Sequence, residues 1–352
     1  MNPNQKASSK HLGMTLGMVG LGRMGSNMAK RLMKGGHSVV AFDLSAEAVR
    51  LIKAEGASTI ASLVELRAQL KAPRVIWVML PAGRPTEDVI GQLSEILEPG
   101  DTVVDGGNSY FKDDVRRGQL LRQKKIRFLD VGTSGGVWGL ERGYSLMIGG
   151  DADAATTLDP IFRTLAPGDS QVEITPGRRT TSSADQGYLY CGPSGAGHFV
   201  KMVHNGIEYG MMQSLAEGFD ILQGAQSEAL PPEHRYQLDL KEISEVWRRG
   251  SVVSSWLLDL IAISFNHDSV LSQFHGRVPD SGEGRWTVQA ALEESISAPI
   301  ITNSLYVRFR SRESESFAEK LLSAMRSEFG GHVEAPLHLD DASKGVNAPK
   351  KA

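Results

Sequence analysis

Lys201, His204, Asn205 and Glu208 fall at i, i+3, i+4 and i+7, a spacing that sets all four on one face of a helix. Seven residues rise about 10 Å, so an ammonium and a carboxyl would face the two ends of a molecule three or four carbons long. That pair suits general acid–base chemistry if burial and neighbours lower the lysine's pKa and raise the carboxyl's, as a closed site between two domains would do. A solvated, salt-bridged face has the same spacing. Here the flanking Phe199, Val200, Met202, Val203, Ile207, Tyr209 and Met211 surround the stripe with apolar side chains. A helix of that kind is buried, and buried charges need partners or a task.

A second constellation is GLGRMG, which supplies Gly20, Gly22, Arg23, Met24 and Gly25 between an apolar run and a helical stretch. Gly20 permits a tight turn, Gly22 lets backbone approach a pyrophosphate, Gly25 lets the helix pack close, and the helix N-terminus offers N–H groups to phosphate. Asp43 closes the next apolar run, where an acid binds a ribose 2'-hydroxyl and repels a 2'-phosphate. With no Arg or Lys between Asp43 and Arg50, the cofactor is expected to be NAD rather than NADP. The other reading makes Asp43 a helix cap, a task Ser45 could also perform.

Three further turns sit where parallel sheets bind ligands, at the C-terminal ends of strands. Leu80 and Pro81 begin the first, Gly106–Ser109 with Asn108 the second, and Gly132–Gly136 the third. Leu80, Pro81 and Asn108 are expected at the cofactor. Ser134 with the N–H groups of Gly135 and Gly136 could cradle a carboxylate, although SGG alone would be an ordinary turn.

The elements that must position these residues are six apolar runs, at residues 15–19, 38–42, 74–80, 101–105, 127–131 and 145–149, alternating with amphipathic stretches. The pattern predicts a Rossmann-type α/β domain with a parallel sheet over residues 13–194. Residues 165–194, rich in Gly, Ser, Thr and Pro, read as a strand-poor connector. Beyond Gly195 the periodicity is helical, predicting an all-α domain over 195–330 for substrate binding and oligomerisation, with a disordered tail over 331–352. Trp138, Trp256 and Trp286 are expected as core anchors.

A length of 352 residues suits two domains. With 38 Lys+Arg against 41 Asp+Glu and no basic stripe, nothing recommends nucleic acid as a partner. No export signal or long apolar span is apparent, which argues against a membrane. The single cysteine, Cys191, forms neither an internal disulfide nor a zinc cluster, so a cytoplasmic setting is expected. The run WLLDLIAISF is more apolar than one buried face requires, which predicts a homo-oligomer.

Taken together, GLGRMG, DGGNS, DVGTSGGVWGLERGYSLMIGGD and GAGHFVKMVHNGIEYGMMQ resemble the 6-phosphogluconate dehydrogenase family from about Leu16 to Arg312, in its short, NAD-preferring branch. The resemblance implies oxidative decarboxylation of 6-phosphogluconate to ribulose 5-phosphate in the pentose phosphate pathway, with NAD, without a metal, and in a homodimer or homotetramer. It makes Lys201 the base and then the acid at the 3-oxygen, and Glu208 the acid that protonates carbon 1 of the enediol. Asn108, Ser134, Gly135, Gly136, His204, Asn205 and Tyr209 would surround the sugar acid, and Arg308 would hold the phosphate. The family's KGTGKW is SGEGRW here, placing Ser281 and Glu283 at positions that grip phosphate in larger members. An inward-pointing Glu283 would repel a dianion unless Arg285 or Arg310 compensates. Two rivals are a related dehydrogenase of a small unphosphorylated acid, such as 3-hydroxyisobutyrate, and a non-catalytic dinucleotide sensor.

Overall fold

A computed structural model describes residues 13–168, 172–179 and 181–330; the tail expected over 331–352 lies outside the described residues. Eight strands form one sheet: β1 (Thr15–Val19), β2 (Ser38–Phe42), β3 (Ser58–Thr59), β4 (Val75–Val78), β5 (Thr102–Asp105), β6 (Arg127–Ser134), β7 (Ser145–Gly150) and β8 (Tyr188–Gly192). Their order is β3-β2-β1-β4-β5-β6-β7-β8. Helices α1 (Arg23–Lys34), α2 (Ala46–Ala54), α3 (Leu66–Gln69), α4 (Arg84–Ile96), α5 (Phe111–Gln123), α6 (Gly139–Arg142), α7 (Ala152–Thr157) and α8 (Asp159–Leu165) connect them. Buried Leu16, Met18 and Trp77 pack with α1 and Phe162 on one face of the sheet. Val19, Ile76 and Val78 pack with Leu66, Ile90 and Leu121 on the other. Burial on both faces is why these strands read as continuous apolar runs.

Three features depart from the sequence expectation. Strand β7 runs antiparallel to β6, because the link from Ser134 to Ser145 is too short for the dozen-residue crossover that parallel pairing requires. Within the expected connector, β8 pairs in parallel with β7. It is a sheet edge, with Leu189 46% and Tyr190 40% exposed, and so lacks the apolar continuity of an inner strand. Trp138 is also no core anchor, being 41% exposed. Tyr144 is wholly buried beside Gly139, where any Cβ would collide with its ring.

The remaining helices are α9 (Ala196–Gly224), α10 (Leu240–Trp247), α11 (Trp256–His267), α12 (Glu283–Glu293), α13 (Pro299–Arg310) and α14 (Phe317–Gly330). Two compact units part between His204 and Asn205, inside α9. The composition change before α9 and the packing change within it are thus separate features. In the second unit Phe219, Leu258 and Phe265 form a small core, with Phe219 ring centroids 5.5 Å from Trp247 and 5.4 Å from Phe265.

Candidate functional site

In the first unit, the turn after β1 is shaped by three glycines with different surroundings. Gly20 has φ +96° and a Cβ there would lie 2.4 Å from the Met79 carbonyl oxygen. A Cβ on Gly25 would meet the Gly20 carbonyl at 2.0 Å, whereas one on Gly22 would meet nothing within 4 Å. The tight contacts fix the turn, and the open space at Gly22 faces the exposed Gly22–Arg23 backbone. No side chain caps α1 and its first turn carries no acid, leaving the N-terminal N–H groups and positive dipole end to an anion. Met24 lies half-buried behind them.

Asp43 does not cap α2. Its Oδ2 accepts the Leu21 N–H at 2.6 Å and its Oδ1 the Ser45 N–H at 2.7 Å, while the Ser45 hydroxyl accepts the Ala48 N–H at 3.3 Å and is the cap. A carboxylate has about four lone-pair positions, so two backbone bonds leave room for a ribose diol. The turn, the uncapped helix end and the tethered acid fit an NAD-type dinucleotide. Leu80 is half-buried, and Pro81 and Asn108 are exposed at the ends of β4 and β5.

The first turns of α9 lie against β6 and β7. A Cβ on Gly197 would come within 2.4 Å of the Asp130 carbonyl oxygen, and one on Gly132 within 2.3 Å of the Lys201 Cβ. Lys201 is only 6% exposed. Its Nζ stands 3.5 Å from His204 Nδ1, and His204 Nε2 stands 3.2 Å from the Ser134 hydroxyl. If Nδ1 accepts from the Lys201 Nζ, Nε2 is the nitrogen left to donate to Ser134. Gly135 and Gly136 follow with φ +134° and +53°, a turn that L side chains resist.

In the second unit, α9 carries Asn205, Glu208 and Tyr209. Asn205 donates from Nδ2 to Glu283 Oε1 at 3.2 Å. The Tyr209 hydroxyl accepts the Ser281 N–H at 3.2 Å, and the Arg308 guanidinium carbon lies 3.5 Å from the centre of the Tyr209 ring. Glu208 is half-buried on the same helix. Glu283 is 2% exposed and its Oε2 accepts no hydrogen bond among the described residues; its other oxygen is held by the Asn205 amide. Arg285 and Arg310 do not offset it. Arg285 pairs with Asp280 at 2.7 Å and Arg310 with Glu319 at 2.8 Å. The Arg308 Nη1 donates to the Pro279 carbonyl at 3.1 Å.

A buried cluster that the motif reading passed over lies under the turn after β5. Asp105, Asp114, Asp130, Arg117 and His198 are all within 1% of complete burial. Arg117 Nη1 donates to Asp105 at 3.0 Å and Asp114 at 3.3 Å. His198 Nδ1 meets Asp114 Oδ2 at 2.7 Å, and Nε2 meets the Gly107 carbonyl at 2.7 Å. Burial works against a charged imidazole, but the Asp114 carboxylate, helped by Asp105 and Asp130, outweighs it and raises the His198 pKa to about 10. Asp105, Asp114 and His198 have donor atoms within 4.8 Å of one another, yet the cation between the two carboxylates is the Arg117 guanidinium. The available signal was an acid closing the apolar strand TVVD and another inside FLDV, where only a paired charge survives burial.

A glycine turn after the first strand of a sheet ordered 3-2-1-4-5-6 defines a dinucleotide-binding domain, here followed by a helical unit. Residues 15–175 match the NAD binding domain of 6-phosphogluconate dehydrogenase and residues 197–329 match its C-terminal domain. The chain is 41% identical over 323 residues, 92% of its length and 99% of the relative's, to the NAD(+)-dependent, decarboxylating 6-phosphogluconate dehydrogenase of Haloferax volcanii. It superposes with a TM-score of 0.72 and 26% identity on a Plasmodium falciparum 6-phosphogluconate dehydrogenase described with its cofactor NADP+ and its substrate 6-phosphogluconate, covering 93% of this chain and 68% of that one. The Mycobacterium tuberculosis 3-hydroxyisobutyrate dehydrogenase shares the fold alone, at TM-score 0.63 and 20% identity over 85% of this chain and 93% of that one. This chain belongs to the 6-phosphogluconate dehydrogenase family.

Proposed function

We propose that this protein catalyses the NAD-dependent oxidative decarboxylation of 6-phosphogluconate to ribulose 5-phosphate and carbon dioxide, a step of gluconate use in the pentose phosphate pathway. The observation that carries the reading is the end-to-end similarity to an NAD(+)-dependent, decarboxylating relative, together with a buried lysine wired to His204 and Ser134. Residues 13–194 serve the cofactor; residues 195–330 serve the substrate and assembly.

Gly20, Gly22, Arg23, Met24 and Gly25 hold the pyrophosphate, Asp43 the ribose, and Leu80, Pro81 and Asn108 the nicotinamide side. Bound NAD supplies the acceptor for the hydride from carbon 3. Lys201 takes the proton of the 3-hydroxyl, and the 3-keto acid that results loses its carboxylate as carbon dioxide. The Lys201 ammonium then protonates the 3-oxygen to give the enediol, and Glu208 protonates the former carbon 2, which is carbon 1 of ribulose 5-phosphate, as the enol proton returns to Lys201. Asn205 and His204 orient the reacting carbons, and Tyr209 lines the sugar. Ser134, Gly135 and Gly136 receive the carboxylate, and Arg308 the phosphate.

Exposed apolar residues on the second unit, among them Ile207, Met211, Val252, Val253 and Ile300, support a homodimer or homotetramer; a monomeric mass by light scattering would refute it. Among the described residues no helix is long and apolar enough to cross a membrane, and the lone cysteine favours the cytoplasm, which cell fractionation tests. The reaction itself is tested by NADH formation and carbon dioxide release from 6-phosphogluconate, with gluconate as the control. Equal kcat/KM on the two acids would refute phosphate recognition, and no turnover with either would refute the enzyme reading.

A further inference from the structure

The peptide at Gly107 is gripped at both of its polar groups. Its N–H donates to Asp105 Oδ1 at 3.1 Å, and its carbonyl accepts from His198 Nε2 at 2.7 Å. Asp105 also accepts the Ser109 hydroxyl at 2.6 Å, so the residues on either side of exposed Asn108 are both fixed. The turn packs closely against the segment after β4: a Cβ on Gly107 would lie 2.6 Å from the Leu80 carbonyl oxygen. His198 is anchored in turn by its own N–H to Asp130 Oδ2 at 2.9 Å, and Gly195 donates to the other Asp130 oxygen at 2.7 Å. One helical turn further on is Lys201.

We propose that His198 is a positioning residue: as a buried imidazolium it latches the Gly106–Ser109 turn to the first turn of α9, holding Asn108 in register with Lys201. The turn's carbonyl can only accept, so Nε2 carries a proton. Burial pushes the Asp114 carboxyl up to about 7, but His198 at 2.7 Å and Arg117 at 3.3 Å both favour its ionised form, so Nδ1 carries the other. The charged groups facing the ring are Asp114 and Arg117 on α5, Asp105 at the end of β5 and Asp130 on β6; Glu87 on α4 reaches it only through Arg117 Nε at 2.9 Å. A neutral donor could fill space there, but only one bonded at both nitrogens ties the turn and α5 to a single rigid point. An error of about 1 Å between Asn108 and Lys201 would cost on the order of a hundredfold in turnover.

The two ring nitrogens can be removed separately. His198→Asn keeps a donor near Nδ1 for Asp114 and loses the latch, whereas His198→Gln keeps a donor near Nε2 for Gly107 and loses the bond to Asp114. The expected orders oppose each other: kcat falls roughly 10- to 100-fold in the Asn variant and much less in the Gln variant, while the melting temperature is lower in the Gln variant, which strands a buried carboxylate. A merely structural histidine would make activity follow stability, and that outcome overturns the proposal. A double-mutant cycle adds a second readout: His198→Asn placed on Asn108→Ala should cost little further kcat, and full multiplication of the two losses overturns the latch. The proposal rests on the role given above to Asn108. Wild-type activity in Asn108→Ala alone would refute that role, and with it the latch, whereas a damaged Asn108→Ala with the wrong His198 ranking refutes the latch only. Should both His198 variants fail to fold, nitrogen-15 histidine spectra of the wild-type protein decide: a protonated Nε2 at neutral pH supports the latch and a bare Nε2 overturns it.

Discussion

Gly132 lies in the inner part of β6, and its Cα faces the helix that carries the proposed base. A methyl group there would stand 2.3 Å from the Lys201 Cβ, 2.9 Å from its Cγ and 3.0 Å from the Gly197 carbonyl oxygen, where ordinary contact begins at 3.4 Å. The Lys201 Cβ is not the free end of a side chain, so about 1 Å must be found by moving α9 or β6. The backbone at Gly132 is not in the left-handed region, so Gly132→Ala acts through this collision and not through dihedral strain. Overpacking of this size costs roughly 1–3 kcal/mol of stability, which a folded protein survives. The catalytic cost is larger: displacement of a base by about 1 Å lowers turnover on the order of a hundredfold. The assay is kcat for NADH formation from 6-phosphogluconate at saturating substrates, with NADH binding followed by fluorescence as the measure of an intact first unit. Gly91→Ala on α4, where a Cβ meets nothing within 4 Å, is the control. A Gly132→Ala protein that binds NADH normally and turns over as fast as the control would refute the idea that β6 sets the position of Lys201.

Lys201→Met should lower NADH and carbon dioxide production together by about 10²- to 10⁴-fold and leave NAD binding intact in a titration. Asp43→Ala strands the part-buried Leu21 N–H and loses the ribose partner; with a hydrogen bond to a charged group worth about 1.5–3 kcal/mol, kcat/KM for NAD should fall roughly 10- to 100-fold, and a wild-type preference for NADP in steady-state kinetics would contradict the assignment. Arg308→Ala should raise KM for 6-phosphogluconate by roughly 10-fold or more, as loss of a charge-assisted bond does, without changing KM for NAD or the slow turnover of gluconate. The His198 pKa is raised in the folded state to about 10, so its contribution to stability is complete below about 6.5 and is lost as pH rises through about 10. Thermal melts from pH 6 to 10 should therefore show an alkaline fall that disappears in His198→Gln.

Much of the sheet was legible because inner parallel strands must be apolar on both faces. Thr15–Val19 and Ser38–Phe42 have the same limits in sequence pattern and structure. Ser58–Thr59 was not legible, since two residues carry no period, and neither was Tyr188–Gly192, an edge strand bracketed by glycines. The reversal at β7 was readable only from the length of its link. For the site, spacing alone put Lys201, His204, Asn205 and Glu208 on one helix, but it could not reveal that His204 spans from Lys201 to Ser134, a contact between residues 70 apart in sequence. Nor could it show that Glu283 turns into the packing toward Asn205. The sequence describes the charge of a glutamate and says nothing of which neighbour will desolvate it.

That orientation of Glu283 bears on how a phosphorylated acid is distinguished from a plain one. Around α12 and α13 the cations are largely spoken for: Asp280 pairs with Arg285 at 2.7 Å and with Arg312 at 3.3 Å, and Glu319 pairs with Arg310. Arg308 differs from them. Among the described residues its guanidinium bonds to the Pro279 carbonyl and the Met212 sulfur and rests on the Tyr209 ring, none of which carries a formal negative charge to neutralise it. Cation–π contact and neutral acceptors hold such a group in place for about 0.5–2 kcal/mol while leaving its charge available to a dianion. The same Tyr209 hydroxyl accepts the Ser281 N–H, so the Ser281 segment is fastened to the ring that carries Arg308. If Arg308 holds the phosphate as proposed, a dianion would meet one positioned guanidinium that no carboxylate neutralises, and an acid lacking that phosphate would gain nothing from it.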